Sequence, residues 1–190
     1  MQGIAGPAMM FRGFIAVDVE CGDALRATID GLRQFGRALK PVSPDNMHVT
    51  LKFLGDTDER CVPELLNVMK DAVKDVPPFE VRLVGTGVFP QLRNARVLWV
   101  GMEGADPLKA IANRLEDGCD LLSFGRDRHE FSPHLTLARV REGFGVDLSD
   151  VLSKGKGKQF GSFTVGSIKL KKSVLTPDGP LYTDMAEARL

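Results

Sequence analysis

The sequence contains a near repeat of one four-residue motif, and each copy begins with a histidine. The two copies are His48-Val-Thr-Leu51 and His134-Leu-Thr-Leu137, so two of the three histidines in the chain lie in the same local context. With average amino-acid usage, a histidine is followed by an apolar residue, threonine and leucine roughly once in several hundred cases. Coincidence is therefore a poor explanation, and the repeat indicates two matching structural units.

Polar and apolar residues alternate within each motif, which is typical of a half-buried β-strand. Successive side chains of a strand point to opposite faces of its sheet. His48 and Thr50 therefore share one face, while the apolar residues beside them pack into the core. His134 and Thr136 repeat the arrangement. Each motif is thus predicted to present one imidazole and one hydroxyl from a rigid strand.

Two imidazoles and two hydroxyls that face one cleft are suited to opening a cyclic phosphodiester. One group must take a proton from water and another must give a proton to the departing oxygen, and histidine, with an ordinary pKa of about 6.5, can do either. Threonine hydroxyls can donate hydrogen bonds to the non-bridging phosphate oxygens, where charge concentrates in the transition state. We therefore interpret His48, His134, Thr50 and Thr136 as catalytic residues of a reaction that requires no metal and no other cofactor. His129 lies in a charged loop and is interpreted as a solvated residue.

The composition narrows the class of protein. Lysine plus arginine and aspartate plus glutamate each total 25, so the net charge is zero. A bulk, salt-driven nucleic-acid binder normally carries a basic excess, although a local basic cleft remains compatible with this balance. The three cysteines form neither a CxxC pair nor a metal-ligand cluster, which indicates a reducing cytosol. With no signal peptide and no apolar run of membrane length, we expect a soluble cytoplasmic protein without a membrane partner.

Periodicity along the chain predicts helices and strands in the order βαβαββαβ, followed by a short helix and two more strands. Short loops join several neighbouring strands, which favours α+β layering over a doubly wound parallel sheet. A helix is predicted over residues 23–39, a loop over 40–46 and a single strand over 163–173. No linker divides the chain, so we expect one two-lobed domain over residues 10–190, preceded by an extension over 1–9.

With these motifs the chain resembles the two-histidine (2H) phosphoesterases, and specifically the RNA 2′,3′-cyclic phosphodiesterase (2′-5′ RNA ligase) family. The resemblance extends from about Met10 to Leu190. Beyond the two motifs, it is carried by Phe14-Ile-Ala-Val-Asp18, Lys52-Phe-Leu-Gly55, Phe89-Pro90, Arg96-Val-Leu-Trp-Val-Gly101, Ser132-Pro133, Ala138-Arg139 and Leu175-Thr-Pro-Asp-Gly-Pro180.

The resemblance implies a bilobal fold in which two antiparallel sheets with outer helices are related by a pseudo-twofold axis and enclose a cleft. It implies hydrolysis of RNA 2′,3′-cyclic phosphate ends to a 2′-phosphate, with His48 as the proton donor and His134 as the base. The reverse reaction, ATP-independent 2′-5′ joining of RNA ends, would use the same groups. The expected partner is RNA with such an end, tRNA halves included, or a cyclic nucleotide, and the expected state is a monomer.

Four basic residues near the motifs are candidates for binding substrate. Lys52 follows the first motif and, by alternation, shares the face of its histidine. Arg139 follows the second motif as a candidate phosphate clamp, but strict alternation turns it away from that histidine unless the strand contains a bulge. Arg93 and Arg96 are candidates for binding the RNA backbone.

Aromatic residues and a glycine-rich segment give weaker signals. Phe11, Phe14 and Phe53 are interpreted as core residues that could also stack on a base. The segment 154–158 lacks the Gly-Lys-Ser/Thr ending of a Walker loop, so it is interpreted as a basic loop that could touch RNA.

The residues alone leave other functions open. The same fold could act on an ADP-ribose cyclic phosphate or a 2′-5′-linked oligonucleotide, or it could bind RNA ends without catalysis. A zinc site is the weakest alternative, because only two well-placed imidazoles exist and no cysteine accompanies them.

Overall fold

The structure is a computed structural model that describes residues 9–177 and 179–190; of the predicted extension (1–9), residues 1–8 lie outside the described residues, as does Asp178. The described residues form nine strands and four α-helices. In chain order these are β1 (Met10–Asp18), α1 (Asp23–Leu32), β2 (Leu39–Pro41), β3 (His48–Asp58), α2 (Val62–Val73), β4 (Phe79–Phe89), β5 (Val97–Glu103), α3 (Asp106–Leu121), β6 (His134–Val140), α4 (Ser149–Gly155), β7 (Gln159–Val165), β8 (Ser167–Thr176) and β9 (Gly179–Arg189).

The strands form two antiparallel sheets, so the predicted α+β class is confirmed. One sheet has the order β3-β1-β8-β9 and the other the order β2-β6-β5-β4-β7. Helices α2 and α3 pack on the four-stranded sheet, and α1 and α4 pack on the five-stranded sheet. Among the described residues, no helix is both long enough and apolar enough to cross a membrane.

The two sheets correspond strand for strand. The order β3-β1-β8-β9 matches the order β6-β5-β4-β7, so the two motif strands, β3 and β6, occupy equivalent positions. Both motif strands also contain a β-bulge at the same place. Leu51 has no partner in the pairing of β3 with β1, and Leu137 has none in the pairing of β6 with β5. This repeated register is what the predicted pseudo-twofold relation requires.

The apolar residues of both motifs anchor the motif strands in one continuous core. Val49, Leu51, Leu135 and Leu137 are all buried, and they belong to the same apolar cluster as the inner faces of α2 and α3. Burying a leucine or valine side chain stabilises a fold by about 1.5–3 kcal/mol. The strands that carry the histidines are therefore held from behind, as the alternation predicts.

Three local predictions need correction. The helix predicted over 23–39 ends at Leu32 and continues as a 3-10 segment (Arg33–Ala38) that is kinked at Gly36, whose φ of 54° is readily adopted only by glycine. The predicted loop 40–46 begins instead with β2, which pairs with β6. The single strand predicted over 163–173 is two strands, β7 and β8, which belong to different sheets and are separated at Gly166.

Candidate active site

The two motif histidines make the same hydrogen bond. His48 Nδ1 lies 2.7 Å from the carbonyl oxygen of Asn46, and His134 Nδ1 lies 2.7 Å from that of Ser132. A carbonyl oxygen can only accept, so Nδ1 carries the hydrogen in both rings. Nε2 is therefore the nitrogen without a hydrogen in each neutral ring. Both rings are half-buried, so neither is sealed inside the core.

The His48 ring lies in an aromatic pocket at the end of the four-stranded sheet. Its centroid is 5.0 Å from that of Phe14 and 5.2 Å from that of Tyr182, which meets it edge-on at 87°. Tyr182 belongs to β9, the far edge of the same sheet, and Asn46 Nδ2 donates to the Pro180 carbonyl at 2.9 Å. The sheet is therefore curled enough to bring its two edge strands together beside His48.

Burial is the main cause that lowers the pKa of His48 below its ordinary value, because the apolar surroundings disfavour the charged ring. The hydrogen bond to Asn46 and the charge of Asp18 oppose this effect, whereas the charges of Lys171 and Arg139 add to it. The surroundings of His48 therefore favour the neutral form of its ring in the free protein.

The second histidine has a different aromatic neighbourhood. The His134 centroid lies 5.0 Å from that of Phe89, edge-on at 88°, and 6.5 Å from that of Trp99. The Trp99 ring in turn covers Gly87 of β4, where any Cβ atom would overlap the indole. Glycine at this position therefore lets the indole lie against the sheet beside the histidine.

The threonines of the motifs lie where alternation places them. Thr50 pairs with Ala16 and Thr136 pairs with Trp99, each on the histidine-bearing face of its strand, and both threonines are half-buried. One hydroxyl therefore accompanies each imidazole on either sheet.

The bulge at Leu51 moves Lys52 away from the site. Lys52 pairs with Ile15 on the buried face of the sheet, and only 1% of its side chain is exposed. Its Nζ donates to Glu116 of α3 and to the Gly125 carbonyl oxygen, each at 2.9 Å. The expectation that Lys52 shares the face of Thr50 is therefore wrong, because the bulge reverses the alternation.

The equivalent bulge at Leu137 brings Arg139 onto the histidine-bearing face. Arg139 pairs with Val97 and is exposed, and the equivalent residue of the other lobe is Phe53. The charge of Arg139 contributes to lowering the pKa of His48, although His48 belongs to the other sheet. The Arg139 side chain therefore lies close enough to His48 to act on it across the two lobes.

The two motif strands are neighbours, although they belong to different sheets. His134, Thr136 and Arg139 share one face of β6. The charge of Arg139 contributes to lowering the pKa of His48, which lies on the neighbouring strand β3. Within residues 9–177 and 179–190, no three histidine, cysteine, aspartate or glutamate side chains are arranged to hold a metal ion. Two imidazoles, two hydroxyls and a guanidinium thus lie on the histidine-bearing faces of two neighbouring strands, and such a set of groups can bind an anion and transfer protons.

The other two predicted substrate-binding arginines lie in the loop between β4 and β5. Arg93 and Arg96 are exposed in the β4–β5 loop, and the Arg96 carbonyl accepts from the backbone N–H of Val140, next to Arg139. The interpretation of Phe53 as a core residue is wrong, because its ring is 56% exposed on the histidine-bearing face of β3. Phe11 and Phe14 are buried, as predicted. His129 is exposed in its loop, where the sequence predicted it.

Sequence reasoning missed an ionic cluster beside His48. Lys169 Nζ lies 2.8 Å from Asp18 and 2.9 Å from Asp184, and Lys171 Nζ lies 2.8 Å and 2.6 Å from the same carboxylates. Burial opposes ionisation of both carboxyls, but the two lysines outweigh it and hold the pKa of Asp18 and Asp184 below the ordinary value. Alternating lysines at 169 and 171 were the one available signal, and their partners are distant in sequence.

The sequence model of the 2′-5′ RNA ligase superfamily matches residues 21–173 of the chain. Curated relatives include an RNA 2′,3′-cyclic phosphodiesterase of Methanothermobacter thermautotrophicus, which is 36% identical over 96% of this chain and 100% of its own length. A protein of the same name from Archaeoglobus fulgidus is 34% identical over 92% of this chain and 97% of its own length.

Solved structures show the same architecture. A Thermus thermophilus protein superposes with a TM-score of 0.75 at 30% identity, covering 94% of this chain and 97% of its own. Escherichia coli LigT complexed with 3′-AMP superposes with a TM-score of 0.74 at 26% identity, covering 96% of this chain and 99% of its own. The similarity therefore extends over both sheets.

Proposed function

The chain belongs to the 2′-5′ RNA ligase superfamily, and from this membership we propose that it is an RNA 2′,3′-cyclic phosphodiesterase, a hydrolase that opens cyclic phosphate ends. One observation carries the proposal: His48 and His134 occupy equivalent positions in two matching sheets and are anchored by the same Nδ1 hydrogen bond at the same distance. Curated relatives with that activity in their names, at 34–36% identity over nearly the whole chain, support it.

The two Nε2 atoms divide the proton transfers. Nε2 of neutral His134 takes a proton from water as the water oxygen attacks phosphorus. The bond between phosphorus and the 3′ oxygen breaks, and Nε2–H of protonated His48 gives its proton to that oxygen. The product is a 2′-phosphate with a free 3′-hydroxyl, and the two histidines have exchanged protonation states.

Burial of His48 suits the role of acid. Its lowered pKa makes the imidazolium a stronger proton donor, while the anionic phosphate favours the charged ring once substrate is bound. Binding of the anionic substrate thus favours protonation of His48, the form in which it acts as the acid. The Asn46 carbonyl keeps Nε2 as the nitrogen that exchanges the proton.

The remaining residues of the cleft bind the phosphate and the nucleoside. Thr50 and Thr136 donate hydrogen bonds to the non-bridging oxygens, where charge builds up in the transition state. Arg139 neutralises the same anion, and its exposure on the histidine-bearing face supports this role. Phe53 offers an exposed ring for base stacking, and Arg93 and Arg96 at the rim contact the RNA backbone.

The proposed function extends to the domain organisation, the oligomeric state, the location and the substrates of the protein. Residues 10–190 act as one bilobal catalytic domain, which works as a monomer in the cytoplasm without a metal or other cofactor. Its substrates are RNA ends, tRNA halves included, or cyclic nucleotides. In reverse, a 5′-hydroxyl attacks the cyclic phosphate and forms a 2′-5′ bond without ATP, because opening the strained ring drives the reaction.

The decisive experiment is incubation of the purified protein with 2′,3′-cyclic AMP, followed by chromatography against authentic 2′-AMP and 3′-AMP. We expect 2′-AMP from the wild type, in EDTA as well as in buffer, and no product from the His48→Ala/His134→Ala double variant. Saturable binding of a cyclic-ended RNA without any product would instead make the protein a binder of RNA ends. Formation of 3′-AMP would overturn the assignment of the leaving oxygen.

A further inference from the structure

Lys52 is the most deeply buried charged side chain among the residues that the structure describes, with 1% of its surface exposed. Removing an ammonium group from water costs several kcal/mol unless hydrogen bonds and an opposite charge compensate it. An apolar side chain of similar length would avoid the cost at this position. The reason for a lysine at this position must therefore lie in the segments of the chain that its partners hold together.

The partners of Lys52 come from two other segments of the chain. Glu116 of α3 accepts from Nζ at 2.9 Å, and the Gly125 carbonyl oxygen accepts at 2.9 Å. The carboxylate of Asp127 lies 3.5 Å from Nζ, and the backbone N–H of Asp127 donates to Glu116 at 3.1 Å. One ammonium thus joins β3, α3 and the segment that follows α3.

That segment, residues 122–133, is the loop that leads into the second motif. It contains Ser132, whose carbonyl oxygen accepts from His134 Nδ1 and so sets the orientation of the ring. Residues 125–130 are all exposed, so burial does not hold this part of the loop. Apart from the contacts of the Lys52 centre (Lys52, Glu116, Gly125 and Asp127), the described side-chain contacts of residues 125–130 are the ion pairs of Arg126 with Asp117 and Asp120.

We propose that Lys52 is a positioning residue for His134. Its ammonium fixes the loop that supplies the carbonyl acceptor of His134, and it does so from β3, the strand that carries His48. A single buried side chain next to the first motif thereby sets the second histidine relative to the first. The inference deepens the proposed cyclic phosphodiesterase function and rests on it wherever activity is the readout.

The test replaces Lys52 by methionine, which keeps the length of the side chain and removes the charge. Lys172→Met is the matched control, because Lys172 also pairs with a carboxylate, that of Glu59 at 3.0 Å, and neither residue belongs to the loop. We expect Lys52→Met to lower kcat for 2′,3′-cyclic AMP roughly 10- to 100-fold, the cost of small misplacement of a reacting group, with KM nearly unchanged. The control should keep both constants.

Two readouts do not depend on activity. Trypsin cleavage after Arg128 should accelerate roughly tenfold or more in Lys52→Met, because cleavage follows local opening of the loop. The imidazole NMR signals of His134 should shift and broaden while those of His48 stay, and three histidines in the chain make the assignment simple. If the wild type lacks cyclic phosphodiesterase activity, the proposed function fails, and these readouts still decide the role of Lys52.

A folded Lys52→Met protein with kcat within about twofold of the wild type and unchanged trypsin cleavage would overturn the inference. If Lys52→Met does not fold, Asp127→Ala takes its place, because Asp127 is a partly exposed member of the same centre. We then expect faster cleavage after Arg128 and a lower kcat in Asp127→Ala. Unchanged values of both would equally overturn the proposal.

Discussion

Asp18 lies directly opposite His48 in the pairing of β1 with β3. The equivalent place beside His134 is occupied by Gly101, and the equivalent of Arg139 is Phe53. The two lobes thus share a backbone frame that presents two imidazoles in the same way, but they surround the imidazoles with different charges. A division into acid and base requires such a difference between the surroundings of two like groups.

Removing either imidazole should abolish most of the activity without unfolding the protein. Each histidine is half-buried and contributes no core packing comparable to that of the leucines behind it. We expect kcat/KM of His48→Ala and of His134→Ala to fall roughly 10²- to 10⁴-fold, the usual contribution of an acid or base. His129→Ala, in an exposed loop, is the control and should keep full activity. Near-normal turnover by either motif variant would contradict the assignment.

The lowered pKa of His48 also predicts how stability changes with pH. The unfolded chain, where His48 has an ordinary pKa of about 6.5, binds a proton at a higher pH than the folded chain does. Stability linked to this residue is therefore complete above about pH 6.5 and is lost as the pH falls toward the lower folded value. Urea unfolding at pH 7.5 and at pH 5 should show a lower free energy of unfolding at pH 5, and His48→Gln should remove this difference. The difference in the free energy of unfolding between the two pH values should persist in His129→Gln. If it also persisted in His48→Gln, this explanation would be refuted.

The sequence predicted the parts of this site that depend on regular alternation. The α+β class and the shared faces of His48 with Thr50 and of His134 with Thr136 follow from local patterns. The direction of Lys52 did not, because the bulges at Leu51 and Leu137 reverse the alternation beyond them, and an ordinary leucine carries no signal of a bulge. The same irregularity that buries Lys52 exposes Arg139.

Contacts between distant segments of the chain could not be predicted from the sequence either. Tyr182 meets His48 only because the four-stranded sheet curls, and the carbonyl acceptors of both histidines belong to backbone conformations that side-chain patterns do not encode. A periodicity count also passes over the end of the first α-helix at Leu32 and the kink at Gly36 in the 3-10 segment that follows it. The sequence therefore predicted the chemistry of each motif, but not the curvature of the four-stranded sheet or the register shifts of β3 and β6.

The two threonines should contribute to the transition state rather than to binding. Thr50→Val and Thr136→Val preserve shape and remove one hydrogen-bond donor each. We expect each variant to lower kcat roughly 10²-fold, as loss of one donor to a developing oxyanion typically does, with a small change in KM. Steady-state kinetics with 2′,3′-cyclic AMP measure the two constants separately. A change confined to KM would indicate that the hydroxyls only hold the substrate.

Arg139 should act as the main cation for the phosphate. Arg139→Ala is expected to lower kcat/KM roughly 10- to 100-fold, because hydrogen bonds to charged groups contribute about 1.5–3 kcal/mol. Arg139→Lys should recover only part of the loss, since an ammonium lacks the planar fork of the guanidinium. Arg82→Ala is a suitable control, because Arg82 is exposed and pairs with Glu103 at 3.0 Å. An effect of Arg139→Ala no larger than that of Arg82→Ala would exclude the clamp.

Gly87 should be intolerant of even one methyl group. A Cβ atom there would overlap the Trp99 ring, which lies beside both Phe89 and His134. Gly87→Ala must therefore displace the indole, at a cost of about 1–3 kcal/mol for an overpacked site. Trp99 is the sole tryptophan of the chain, so its fluorescence reports the displacement directly.

The matched control for this change is Gly145→Ala, because a Cβ atom at Gly145 meets nothing within 4 Å. We expect a red-shifted emission maximum, a lower melting temperature and a reduced kcat in Gly87→Ala, and none of these in Gly145→Ala. The reduced kcat follows because the displaced ring leaves one side of the His134 imidazole without its neighbour. A Gly87→Ala protein with normal fluorescence and normal turnover would mean that the indole does not hold His134 in place.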